Sequence, residues 1–178
     1  IPVANDILDA IETRLQDRAG IGFTTVANDQ EHSLEIELPF LQRALGGPFE
    51  LIPIMLRSQS RSLTHQLGAA LADVLRHHAC LLVASSDLSH FYSDDQAHLL
   101  DQRVLKEVTN FSPNGLFDLL ETGEGHACGL TAMAAVLWAA EALGADQATL
   151  LRYSTSAATT GDTSSVVGYA SAVITRSD

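Results

Sequence analysis

Asp87 and His90 lie three residues apart in Ser85-Ser86-Asp87-Leu88-Ser89-His90, directly after the apolar run Cys80-Leu81-Leu82-Val83-Ala84. If that run is a buried strand, both side chains emerge at its carboxyl end, where a turn can aim them at one point. A carboxylate beside an imidazole is a general acid/base pair or a pair of metal ligands. An aspartate capping the next turn, with His90 on the surface, fits the same residues.

Further candidates stand in other segments. Glu31-His32-Ser33-Leu34-Glu35 opens a helix, with His32 near its first turn among carboxylates. There His32 is either a ligand oriented by a neighbouring carboxylate or a solvated histidine on an acidic helix. Cys128, in Gly125-His126-Ala127-Cys128-Gly129, precedes an apolar helix. The positive end of the helix dipole favours thiolate, the form that binds metal, and an inert cysteine beside a capping glycine is the alternative. His126 is either a second ligand or a loop residue, and the loop is the commoner outcome. Tyr153, Ser156 and Asp162 border a polar loop that either lines a pocket or joins two strands. His65, His77, His78 and His98 are expected in solvent.

The elements that must position these groups follow from periodicity. Asn5 and Asp6 can cap a helix through Ile7, Leu8, Ile11 and Leu15 that ends near Gly20. Phe23 to Val26 is a short strand or extended link. Leu34, Leu38, Leu41 and Leu45 form a second stripe, with Pro39 as a kink and Gly46-Gly47-Pro48 as the stop. Phe49 to Leu56 reads as a strand, and Leu63, Leu67, Leu71 and Leu75 as a third helix. Cys80 to Ser85 is the buried strand before the acid/base pair. Helices follow over Ala97 to Val108, from Ser112-Pro113 to Leu120, and over Gly129 to Leu143. Thr149 to Ser154 and Val166 to Ile174 close the chain as strands. This alternation predicts an α/β fold, a three-layer sandwich with a mixed central sheet covered by helices on both faces, in one domain over residues 1–178. Sites in such sheets lie beyond the strands' carboxyl ends.

Composition excludes several function classes. Ten Lys and Arg against 22 Asp and Glu give a net charge of −12 in 178 residues. No basic stripe for nucleic acid or an anionic membrane is expected. The run Leu130 to Ala140, interrupted by Thr131, is well short of the roughly 20 residues that span a bilayer. With no basic and apolar leader at the start, the cytoplasm is the expected location. Two cysteines, Cys80 and Cys128, make no disulfide framework. The chain opens at Ile1 rather than methionine, as a processed, truncated or partial product would.

Taken in order, the segment Glu31 to Glu35 with Leu38-Pro39, the segment Ser85 to His90, the Cys128-Gly129 pair and Val167-Gly168-Tyr169 resemble the Memo-like family. That family includes the Memo component of the AmmeMemoRadiSam group and is related to the LigB-like class III extradiol dioxygenases. The resemblance implies a LigB-like fold with a metal pocket of histidines and a cysteine. It places His32 and Cys128 at metal-ligand positions, and Asp87 and His90 at acid/base or outer-ligand positions. Iron or copper is the implied cofactor, since thiolate with imidazole suits these metals better than Mg or Ca. The family's further histidine ligand, in an N-terminal Pro-His-Ala-Gly-like segment, has no match here, so the chain is expected to lack that segment. The implied function is a metal-dependent, dioxygenase-like redox enzyme. The alternatives are a non-catalytic protein that holds a peptide or small ligand in the pocket, or a metal store or chaperone. Exposed sheet edge and apolar surface would favour association between copies.

Overall fold

The computed structural model describes residues 1–177. In chain order the elements are α1 (Asn5–Ala19), α2 (Ser33–Leu45), α3 (Arg61–Leu75), β1 (His90–Tyr92), α4 (Asp94–Thr109), α5 (Pro113–Thr122), α6 (Leu130–Ala142), β2 (Gln147–Thr155), α7 (Ala157–Thr160) and β3 (Val166–Thr175). No helix among the described residues is long and apolar enough to cross a membrane.

The helices form where periodicity and capping agree. Ser60 caps α3, its hydroxyl accepting the Leu63 N–H, and Leu67, Leu71 and Leu75 are buried on one face. Ser112 caps α5 by accepting the Gly115 N–H, with Pro113 in the first turn, where its missing N–H costs nothing. Gly20 closes α1 in the left-handed conformation at φ 68, donating its N–H to the Gln16 carbonyl. The cap at the other end of α1 is Ala4 rather than Asn5 or Asp6. Pro39 is accommodated inside α2, a helix with no buried residue.

Two apolar clusters make the core. One gathers Leu88, Val104, Leu105, Val108, Leu116, Phe117, Leu130 and Leu137 from the loop before β1, α4, α5 and α6. The other packs α1 (Ile11, Leu15) against α3 (Leu67, Leu71, Leu75) and against Ala135 and Ala139 of α6. Helix α6 therefore contributes to both, which explains why it is apolar all round.

The predicted α/β class stands, and β2 and β3 form where expected. The sheet, however, is three-stranded and antiparallel in the order β1-β3-β2, where a mixed sheet was the expectation. The parallel pairing among the described residues is the isolated Val3–Leu51 bridge. Helix α4 packs on β2 and β3, while Leu151, Tyr169 and Val173 are exposed.

The strand expected over Phe49 to Leu56 is reduced to Leu51 in that bridge. Cys80 to Ser85 is not a buried strand: Leu81 is 67% and Val83 48% exposed. No backbone hydrogen bond joins residues 80–84 to a neighbour among the described residues, and a strand exists only through such a ladder. Leu82, together with Ile52, Ile54 and Leu56, still packs on the α1–α3 cluster. The apolar pattern thus reports half-burial on one side. Phe23 to Val26 is an extended link.

Candidate functional site

The loop before β1 is joined to the start of α6 by backbone and side-chain bonds. The Cys128 N–H donates to the Asp87 carbonyl at 3.2 Å, and the Asp87 N–H donates to Cys128 Sγ at 3.1 Å. Ser86 Oγ accepts the Gly129 N–H at 2.7 Å and lies 3.6 Å from Cys128 Sγ. A Cβ on Gly129 would fall 2.7 Å from the Ser85 carbonyl oxygen and from Ser86 Cβ. Glycine after Cys128 is therefore set by this close approach.

From the same loop, Asp87 Oδ2 lies 3.3 Å from His90 Nε2, at the long end of hydrogen-bond range. Both side chains are partly exposed, so the pair reaches solvent while Leu88 and Ser89 between them are buried. The structure thus holds the Asp87 backbone against Cys128 and the Asp87 carboxylate beside His90. His32 is connected less directly: Ser85 Oγ donates to the Ser33 carbonyl at 2.7 Å, anchoring the start of α2 to the loop. The His32 ring is exposed and its Nδ1 lies 2.9 Å from Glu35 Oε2. The Glu31 carboxylate accepts the Ser33 and His32 N–H groups, and these bonds hold it below the usual carboxylate range.

Several residues at this site escaped the sequence reading. Tyr92 Oη lies 3.4 Å from His126 Nε2, which links that loop histidine to β1. Phe91, between His90 and Tyr92, has φ 65 and is 77% exposed, at an irregularity in the β1–β3 register. A bulky residue in the left-handed region is strained, and such strain clusters at functional segments. Partial burial and the charge of Asp87 push the Tyr169 phenol above its ordinary range.

Asp101 of α4 is fully buried. Its Oδ1 accepts the Ser89 N–H and its Oδ2 accepts the Tyr153 hydroxyl, each at 2.8 Å. Burial and these carboxylate contacts push the Tyr153 phenol well above its ordinary value of 10.0. The folded state therefore keeps that proton at a pH where the unfolded chain has released it. Its stabilising contribution is complete below pH 10.0 and is lost as pH rises from there through the folded value. Urea midpoints measured at stepped pH should fall on the alkaline side of that value, and fall less steeply in Tyr153→Phe.

Imidazole and thiol donors suit iron or copper in kind. In number they fall short: among the described residues no group of three or more His, Cys, Asp or Glu side chains converges to hold a metal ion. An open cavity of about 480 Å³ is lined by Arg61, Ser62, His65, Asn114 and Trp138 and includes none of the four predicted residues.

The fold and site define an α/β protein with a thiol, a carboxylate and an imidazole on two cross-linked segments. Residues 4–173 match the Memo-like protein family, and the chain belongs to it. A MEMO1 family protein of Nitrosopumilus maritimus (strain SCM1) is 36% identical over 143 residues, covering 80% of this chain and 52% of the relative. One from Methanopyrus kandleri is 34% identical over 152 residues, covering 84% and 54%. One from Methanothermobacter thermautotrophicus is 30% identical over 172 residues, covering 96% and 61%. The chain thus spans little more than half the length of these relatives.

Proposed function

We propose that this chain carries the reactive wall of a Memo-type metal pocket, with His32 and Cys128 as donors to iron or copper and with Asp87 and His90 as the proton-handling pair. The observation that carries this reading is the pair of hydrogen bonds between the Asp87 backbone and Cys128, which ties the thiol-bearing segment to the loop that holds the Asp87–His90 pair. Bound there, iron or copper would supply redox or Lewis-acid chemistry. The chain's own contribution is positional. His90, partly exposed, can exchange a proton with a ligand, and Asp87 Oδ2 orients the imidazole through Nε2. A dioxygenase-like reaction is an extension by fold kinship and carries less weight than the metal site itself.

Anaerobic loading with ferrous or cuprous ion, followed by elemental mass spectrometry, tests the reading. Metal should be retained by the wild type and lost in both His32→Ala and Cys128→Ala. Retention indifferent to both substitutions, or no retention at all, would reject it. A second reading, a pocket that binds a small polar or peptide ligand without metal, draws on the His32–Glu35 pairing and on the missing third donor. It is favoured if the wild type holds no metal.

A further inference from the structure

We propose that Asp101 is the positioning residue for the Asp87, His90 and Cys128 group and acts through the backbone of Ser89; this rests on the reading that the group is the working site. Asp101 lies on the apolar face of α4 with Ala97, Val104, Leu105 and Val108, all buried. No Lys, Arg or His pairs with it among the described residues. An unpaired carboxylate in such a place is costly, and an aliphatic side chain would fill it more cheaply. What the carboxylate does there is accept the Ser89 N–H.

The rest of that loop backbone is held by β3. The Leu88 N–H donates to the Gly168 carbonyl, and the Gly168 N–H donates to the Ser89 carbonyl, each at 2.9 Å. Leu88 and Ser89 are thereby fixed between α4 and β3, and their chain neighbours are Asp87 and His90. A Cβ on Gly168 would lie 1.9 Å from Asp101 Oδ2, so the carboxylate seats against the bare Cα of that glycine. Tyr153 closes the far side from β2. The geometry then passes from Asp87 to Cys128 through their two mutual bonds.

The test separates positioning from bulk stability. Asp101→Asn keeps an oxygen acceptor for Ser89. Asp101→Leu keeps the branched outline with the same number of heavy atoms, at a larger volume, and offers no acceptor. The readout is iodoacetamide labelling of Cys128 at fixed pH, followed by peptide mass spectrometry, with Cys80, exposed like Cys128, as internal reference. In Asp101→Leu, which also removes the acceptor of the Tyr153 hydroxyl, the Cys128 rate should rise about three- to tenfold, the factor for the Ser89 hydrogen bond alone, with Cys80 unchanged. Asp101→Asn should restore the wild-type rate. An unchanged Cys128 rate in Asp101→Leu, a joint rise of both cysteines, or a failure of Asn to restore the rate would overturn the proposal. If Asp101→Leu does not fold, Gly168→Ala takes its place, because its Cβ would stand 1.9 Å from Oδ2 and 2.7 Å from Cγ of Asp101 and must displace the carboxylate. No metal enters the assay, so loss of the metal reading and loss of the positioning role are told apart.

Discussion

Phe117→Ala should lower stability by about 3–5 kcal/mol, the range for a buried aromatic removed from a core. Phe117 is 1% exposed in the cluster shared by α4, α5 and α6. Its ring stacks on Trp138 with centroids 5.8 Å apart, and the Arg61 guanidinium sits 5.4 Å from the ring centre. Arg61 is itself held there by Asp118 and Glu121. The alanine variant loses the burial, the stacking and the cation–π contact together, and leaves a void that rigid helices cannot close. Domains of this size have about 5–15 kcal/mol in total, so a large fraction is at stake. Urea unfolding should show a reduced midpoint at unchanged slope. Phe40→Ala is the control: Phe40 is 70% exposed on α2, a helix with no buried residue, and should change stability by no more than about 0.5 kcal/mol.

The contrast between these phenylalanines marks what the sequence makes legible. Helices α3 and α5 could be read because their spacing and caps are local properties: Ser60 and Ser112 lie directly before the turns they cap. The strands were legible only where two paired with each other. Segment 80–84 has the same apolar character as β2 and β3, but strand formation depends on a hydrogen-bonding neighbour, which no local pattern encodes. Strand β1 is three residues long and contains Phe91 at positive φ, so neither length nor propensity announces it.

The site was legible by residue type and only partly by geometry. The Asp87 backbone meets Cys128 and its carboxylate meets His90, whereas His32 is linked to that loop through the Ser33–Ser85 bond rather than by its ring. The connecting groups were hidden, because a serine hydroxyl such as that of Ser86 carries no spacing signature. Asp101 did leave a trace: it is the one acidic residue among the buried positions of α4. An acid on the apolar stripe of an amphipathic helix is a local inconsistency, and such inconsistencies concentrate near functional sites.

Gly68→Val should reach the site through packing alone. A Cβ at Gly68 would stand 2.9 Å from the Ala135 carbonyl oxygen and 2.9 Å from Trp138 Cβ, with the Ala139 nitrogen at 3.3 Å. Two of these atoms are backbone of α6, so α6 must move away from α3 for any side chain to fit. Valine adds further bulk and has only modest helix preference, which places the cost near the top of the about 1–3 kcal/mol found for overpacked cores. Alanine at the same position recovers about 1 kcal/mol of helix propensity and should be milder. Because α6 begins immediately after Cys128 and Gly129, displacing it also pulls on the bonds that join Cys128 to Asp87. Valine should therefore lower the urea midpoint and speed Cys128 labelling in the same protein. If the midpoint falls while the Cys128 rate stays at the wild-type value, the α3–α6 crossing supports the core but does not set the position of the thiol.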